Sequence, residues 1–105
     1  MINAKEELIS LIEKYEYRLH IKAAEIRYED SMVAKYIDLK VKYSNEEMKK
    51  FLEELNLEYY DNHGSQNIFG RIWLIDGSWL ERDQIQGVEM WVLKDSPQIP
   101  ERLYL

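Results

Sequence analysis

The stretch from Ile68 to Leu93, IFGRIWLIDGSWLERDQIQGVEMWVL, restricts the fold more than any other part of the chain, because all three tryptophans fall within it. Asp76-Gly77 lies between two apolar-aromatic runs. That pair suits a tight type I′ hairpin, in which Gly and, less readily, Asp accept positive φ at the two central positions. Three consecutive antiparallel strands are therefore expected. With a two-residue loop, Ile75 faces Ser78, Leu74 faces Trp79 and Trp73 faces Leu80, so each large ring meets an aliphatic partner. Alternation then sets Trp73 and Ile75 on one face and Ile72, Leu74 and Trp79 on the other. Both faces are partly apolar, which leaves three readings open: a sheet covered on both faces within one chain, a dimer interface, or a surface that anchors a partner.

The rest of the chain supplies elements to cover such a sheet. Asn3 followed by Glu6 has the spacing of a helix start, and Leu8, Leu11, Ile12 and Tyr15 recur at helical intervals, which predicts a helix over Ala4 to Tyr15. Leu19 to Tyr28 turns towards strand formers, with Ala23-Ala24 breaking the alternation as a bulge or a slip of face would. Glu29-Asp30-Ser31 reads as a turn. Ile37, Leu39, Val41 and Tyr43 then alternate with Tyr36, Asp38, Lys40 and Lys42 as one strand with a buried and a wet face. Ser44 and Glu47 form a capping box, and Met48, Phe51, Leu52 and Leu55 make the apolar stripe of a helix ending near Asn56. A short strand over Leu57 to Tyr60 and a polar loop over 61–67 follow. Two prolines keep Asp95 to Pro100 out of a central strand, so residues 95–105 should form an extended tail lying on the domain, with some of Leu103, Tyr104 and Leu105 docked. The expectation is one α+β domain over residues 1–105, two helices packed on an antiparallel sheet in the order α-β-β-α-β-β-β-β.

Charge placement matters more than the net charge of −6. Residues 1–44 carry eight basic and eight acidic side chains, whereas residues 45–66 carry six acidic ones (Glu46, Glu47, Glu53, Glu54, Glu58 and Asp61) against Lys49 and Lys50. A negative field on the second helix has the wrong sign for displacing counterions from phosphates, which argues against direct nucleic-acid binding and for a basic protein surface as partner. The chain has no cysteine, which fits a reducing cytoplasm. No apolar run has the length of a membrane span or a signal-peptide core.

Motifs of catalysis and metal binding do not appear. His63, with Asp61 and Asn62, is the one feature that could suggest acid-base work or a metal, and a solvated loop histidine accounts for it. His20 is the only other histidine, and no HExxH or DxDxDG spacing is present. Ser65, Ser78 and Ser96 lie outside any nucleophile motif, and Gly64, Gly70, Gly77 and Gly87 are isolated. The expectation is a protein that is not an enzyme and uses no cofactor.

The run G-R-I-W-L-I-D-G-S-W-L-E-R-D-Q-I-Q-G-V-E-M-W at Gly70 to Trp91, with P-Q-I-P at Pro97 to Pro100, resembles a pattern in small uncharacterised proteins of bacteriophages and prophages. Those relatives show a G-x-I-W strand, a D-G-[ST]-W turn, a second Gly-containing turn and a closing P-x-I-P. Their second turn often reads Y-D-G and their last strand has paired tryptophans, where this chain has Ile85-Gln86-Gly87 and Met90-Trp91. The resemblance implies a mobile-element origin, and so the cytoplasm of an infected or lysogenic bacterium, with no assigned activity. Two functions follow as expectations. One is a non-catalytic inhibitor of a host or phage protein, such as an anti-CRISPR, that places Glu46, Glu47, Glu53, Glu54, Glu58 and Asp61 in a basic channel with Tyr59 and Tyr60 as anchors. The other is a phage structural or assembly protein that forms a homodimer through its aromatic sheet face. Neither involves a membrane.

Overall fold

The computed structural model describes residues 1–15, 20–60, 65–95 and 99–105. Two helices lie against one face of a five-stranded antiparallel sheet, so the α+β class holds. The expected element order needs one addition, a two-residue strand β1 (Ile2–Asn3) ahead of the first helix.

Helix α1 (Ala4–Tyr15) starts where the Asn3 and Glu6 spacing puts it: the Glu6 amide donates to Asn3 Oδ1 at 3.0 Å, satisfying one orphan donor of the first turn. β1 pairs antiparallel with β4 (Glu58–Tyr59), and Asn3 Nδ2 donates to Asn56 Oδ1 at 2.9 Å. The start of α1 is thereby tied to the chain just past α2 (Asn45–Leu55). The short strand predicted after α2 thus joins β1 and not the main sheet. α2 carries the predicted reciprocal box, Glu47 N to Ser44 Oγ and Ser44 N to Glu47 Oε1, both 3.1 Å. Its stripe buries Phe51 and Leu55, with Met48 and Leu52 packed beside them. Leu8 of α1 joins them on the sheet. Each such side chain contributes roughly 1.5–3 kcal/mol on leaving water.

The strand order is β3-β2-β5-β6-β7, with β2 (Ile21–Glu29), β3 (Ala34–Leu39), β5 (Ile68–Leu74), β6 (Ser78–Ile85) and β7 (Val88–Asp95). The break at Ala23-Ala24 is a bulge: the register against β5 shifts between Ile21 and Ala23, leaving Lys22 as the extra residue. Ile21 and Ala24 consequently share the helix-side core although they are three residues apart, while Ala23 faces the other way onto Trp73. Further along the same strand pair Gly70, opposite Ile26, approaches β2 so closely, at φ +136°, that a Cβ there would lie 2.1 Å from the Glu25 carbonyl oxygen.

Three expectations are corrected. Trp73 pairs with Trp79 and Ile72 with Leu80, so the hairpin register is one residue away from the expected one. The loop holds Ile75, Asp76 and Gly77, closed by Gly77 N to Leu74 O at 3.2 Å, and only Gly77 has positive φ (+91°). A one-residue slip exchanges the faces of a strand, and the observed register sends Leu80 into the helix-side core with Ile72 while both tryptophans share the opposite face. The two-residue turn with positive φ at both positions occurs one hairpin later, at Gln86 (+53°) and Gly87 (+81°), between Ile85 and Val88. Second, the alternating strand ends at Leu39 and does not continue to Tyr43, because Lys42 adopts φ +58° and Val41 N donates to Leu103 O at 2.8 Å. Third, the C-terminal segment is not extended throughout: Glu101–Tyr104 form a short 3-10 helix. Leu103 is buried against Val41, Ala23 and Trp73, with Ile99 beside them, whereas Tyr104 and Leu105 stay exposed.

Candidate functional site

The residues expected to meet a partner begin on α2, whose capping box and apolar stripe set which side chains point outward. Glu46 and Glu53 are exposed, and so is Glu58 in β4. Glu47 is half-buried and committed to the helix start. Its carboxyl is held below the usual range first by the Ser44 backbone amide, against which partial burial works, and then by Lys40 at 3.5 Å. Glu54 is half-buried, and its backbone carbonyl accepts Lys35 Nζ at 3.2 Å. The fold therefore brings two lysines from β3 and its end to the acidic helix. Glu46, Glu47, Glu53, Glu54 and Glu58 share this region with Lys35, Lys40, Lys49 and Lys50, which leaves a much weaker field than the linear charge count implied.

Tyr60 is 61% exposed and stands as an anchor would, but Tyr59 does not. It is turned inward at 2% exposure because β4 pairs with β1 and presents Tyr59 to the core opposite Ile2. Asp61 and His63 lie outside the described residues. Among the described residues no group of three or more His, Cys, Asp or Glu side chains could hold a metal ion. The aromatic face of the alternative reading is covered at its centre, since Trp73 is buried beneath Leu103.

Tyr59 belongs to a charged cluster that the sequence reading missed. Arg82 on β6 points towards the helices with its side chain fully buried. Its Nη1 donates to Glu7 Oε2 of α1 at 3.0 Å, its Nη2 to Glu89 Oε1 of β7 at 2.9 Å, and its Nε to the same oxygen at 3.2 Å. Nη2 also donates to the Tyr59 hydroxyl at 2.6 Å, and that hydroxyl donates to Glu7 Oε1 at 2.6 Å. The guanidinium lies 5.2 Å from the ring centroids of both Tyr59 and Trp91. Glu89 is further satisfied by the Asn67 amide at 2.8 Å and the Ile68 amide at 3.1 Å. Burial pushes the Tyr59 hydroxyl well above its ordinary value, and its bond to Glu7 adds to the effect. Burial is the largest single influence on Arg82 and acts to lower it, but the charge and hydrogen bond of Glu7 together with Tyr59 and Glu89 outweigh it, and the guanidinium is held more firmly protonated than usual.

Five segments thus meet at one cation, and every group in the cluster has a partner. Within the cluster the hydrogen bonds close on its own members, with Glu7 at its half-buried rim. The cluster secures β4, β6, β7 and the start of β5 to α1. Its signal was present in the sequence: counting back from the Gln86-Gly87 turn pairs Arg82 with Trp91 and puts Arg82 on the same face as Leu80. A charge at an apolar parity position marks a buried pair or a functional group.

No described helix is long and apolar enough to cross a membrane. No protein-family model, curated protein or solved structure matches the chain.

Proposed function

We propose that this chain is a small non-catalytic protein of phage origin that binds and inhibits a host protein, in the manner of an anti-CRISPR, through the outer face of α2 and the residues that follow it. The observation that carries the reading is the set of outward side chains Glu46 and Glu53 on α2, whose start is capped at Ser44, and Glu58 and Tyr60 just after it. Rigid presentation reduces the ordering cost of binding, and a tyrosine beside carboxylates suits a basic surface with apolar recesses. Glu47 and Glu54 serve at the margin of this face, and Tyr59 supports it from within. Assembly through the aromatic sheet face is the weaker alternative, because Leu103 occupies the centre of that face.

Charge reversal tests the reading. Against a panel of nucleic-acid-guided host effectors, the Glu46→Lys/Glu53→Lys protein should bind more weakly than the parent, and the salt dependence of binding should flatten. Binding that the reversal leaves untouched, or no binding to any member of the panel, would overturn it.

A further inference from the structure

The turn between β2 and β3 runs from Asp30 to Val33, and the fold depends on the first of these residues. Asp30 Oδ1 accepts the amides of Met32 and Val33, both at 2.8 Å, and Asp30 Oδ2 accepts the Tyr28 hydroxyl at 3.0 Å. The Asp30 amide in turn donates to Val33 O at 2.9 Å. One carboxylate thus makes the turn, and such turns ordinarily carry small or polar residues. Met32 is instead 87% exposed and Val33 52% exposed, and neither belongs to a core cluster. Tyr60, also exposed, lines one cleft with Glu29, Asp30 and Ser31. The bond from Lys35 to the Glu54 carbonyl brings the last turn of α2 to the base of the same hairpin. Three exposed apolar side chains therefore lie at one end of the molecule, beside the face assigned to a partner. A single exposed apolar residue needs no explanation, whereas a group of them marks a contact surface.

Two properties of this tip select what it meets. The amides of Met32 and Val33 are satisfied inside the turn, so the tip can enter an apolar recess without stranding those donors. Charge selects further. On the strand ends, the turn, the last turn of α2 and the chain up to Tyr60, the carboxylates are Glu29, Asp30, Glu53, Glu54 and Glu58, against Arg27 and Lys35. Arg27 is drawn to Glu29 at 3.0 Å and Lys35 to a helix carbonyl, so the excess around the tip is negative. That excess repels an anionic lipid surface and suits a protein recess ringed by lysine or arginine. We infer that the partner of the α2 face carries such a recess, apolar at its floor and basic at its rim, and that Met32, Val33 and Tyr60 seat in it. This assignment rests on the reading of α2 given above and adds the hairpin tip as its apolar anchor.

The Met32→Ser/Val33→Thr protein keeps Asp30 and should keep the thermal midpoint of the parent. Against the same panel of nucleic-acid-guided host effectors it should bind about tenfold or more weakly, with the salt dependence of the parent, because apolar contacts and not charges have been removed. Glu46→Lys/Glu53→Lys should do the converse and flatten the salt dependence with the tip intact. Parent-like affinity of the folded tip variant overturns the tip assignment alone and leaves the α2 reading standing. Binding that charge reversal leaves untouched overturns the α2 reading, and the basic rim with it. An absence of binding to every effector overturns both. A lowered midpoint of the tip variant would show that Met32 and Val33 serve the fold, which also overturns the assignment. Vesicles of phosphatidylcholine, alone and mixed with phosphatidylglycerol, test lipid as the other occupant of an apolar tip. No binding to either is expected, and vesicle binding that Met32→Ser/Val33→Thr abolishes would give the tip to lipid and overturn the protein recess.

Discussion

Arg82 and Arg102 each hold two carboxylates, on opposite sides of the same sheet. Arg82 binds Glu7 and Glu89 with its side chain fully buried, whereas Arg102 binds Glu25 and Asp38 with its side chain 52% exposed. The chemistry is the same and the solvent is not. Around Arg82 the surroundings are the Tyr59 and Trp91 rings, so an unpaired charge there has no water to turn to. Around Arg102 water competes with the protein for every group, and Leu103 next to it does the anchoring. The helix-covered face is thus tied by a charge cluster that is costly to open, and the other face is closed by one apolar side chain with an ion pair at its rim.

Arg82→Ala should separate the two cases most sharply. Removing the cation leaves Glu89 and the Tyr59 hydroxyl buried without it and Glu7 half-buried beside them, a loss of about 3–5 kcal/mol. Against a typical total of about 5–15 kcal/mol this brings the chain near unfolding, and the urea midpoint should show it. Arg82→Met/Glu89→Gln should recover part of the loss, since the buried charge is gone and a glutamine oxygen still accepts from one of the Asn67 and Ile68 amides, which Glu89 meets with different oxygens. If Arg82→Ala proves no more harmful than Arg102→Ala, burial is not what distinguishes the two sites.

Leu103→Ala addresses the opposite face. It removes the side chain that caps Trp73, Ala23 and Val41, and a cost of about 2–4 kcal/mol follows from the lost burial and the cavity. The Trp73 and Trp79 emission should shift to the red as water reaches the indoles. A smaller loss, with emission unchanged, would mean that the C-terminal helix contributes little to closing that face.

Gly77→Val probes the hairpin that puts both tryptophans on that face. Nothing lies within 4 Å of a Cβ built there, so the penalty comes from φ +91° alone. A strained position of this kind costs about 1–3 kcal/mol, and the thermal midpoint should fall accordingly. An unchanged midpoint would show that the loop can adopt another turn.

These sites also show what could be read from the chain and what could not. The bounds of α1 and the Ser44 and Glu47 box depend on residues three or four apart, and local spacing identified them. The hairpin at Asp76-Gly77 was recognised, but its register was decided by contacts far away: Ala23 opposite Trp73, and Leu80 beside Ile72 in the helix-side core. Turn chemistry alone does not see those contacts. Tyr59 sits in a two-residue strand, too short to show a period, so its inward direction had no local sign. For the acidic helix the linear count omitted Lys35 and Lys40, which arrive only through the packing of β3 on α2.

Arg102→Ala is expected to have the smallest effect, and it is the control on which the comparison rests. The Arg102 guanidinium is raised above its ordinary value by its bond to Asp38, with slight burial opposing and Glu25 adding to the rise, so it is charged and paired at neutral pH. Pairing is nevertheless not the same as stabilisation, because two exposed carboxylates released by the substitution regain water at little cost. The loss should be about 0.2–1 kcal/mol and should shrink as salt is added, since added ions screen an exposed pair and scarcely reach a buried one. Urea melts of Arg102→Ala and Arg82→Ala at low and high salt measure this directly. A loss for Arg102→Ala that exceeds about 2 kcal/mol and ignores salt would place its ion pair among the interactions that close the sheet face, and Leu103 would then not be the principal contact there.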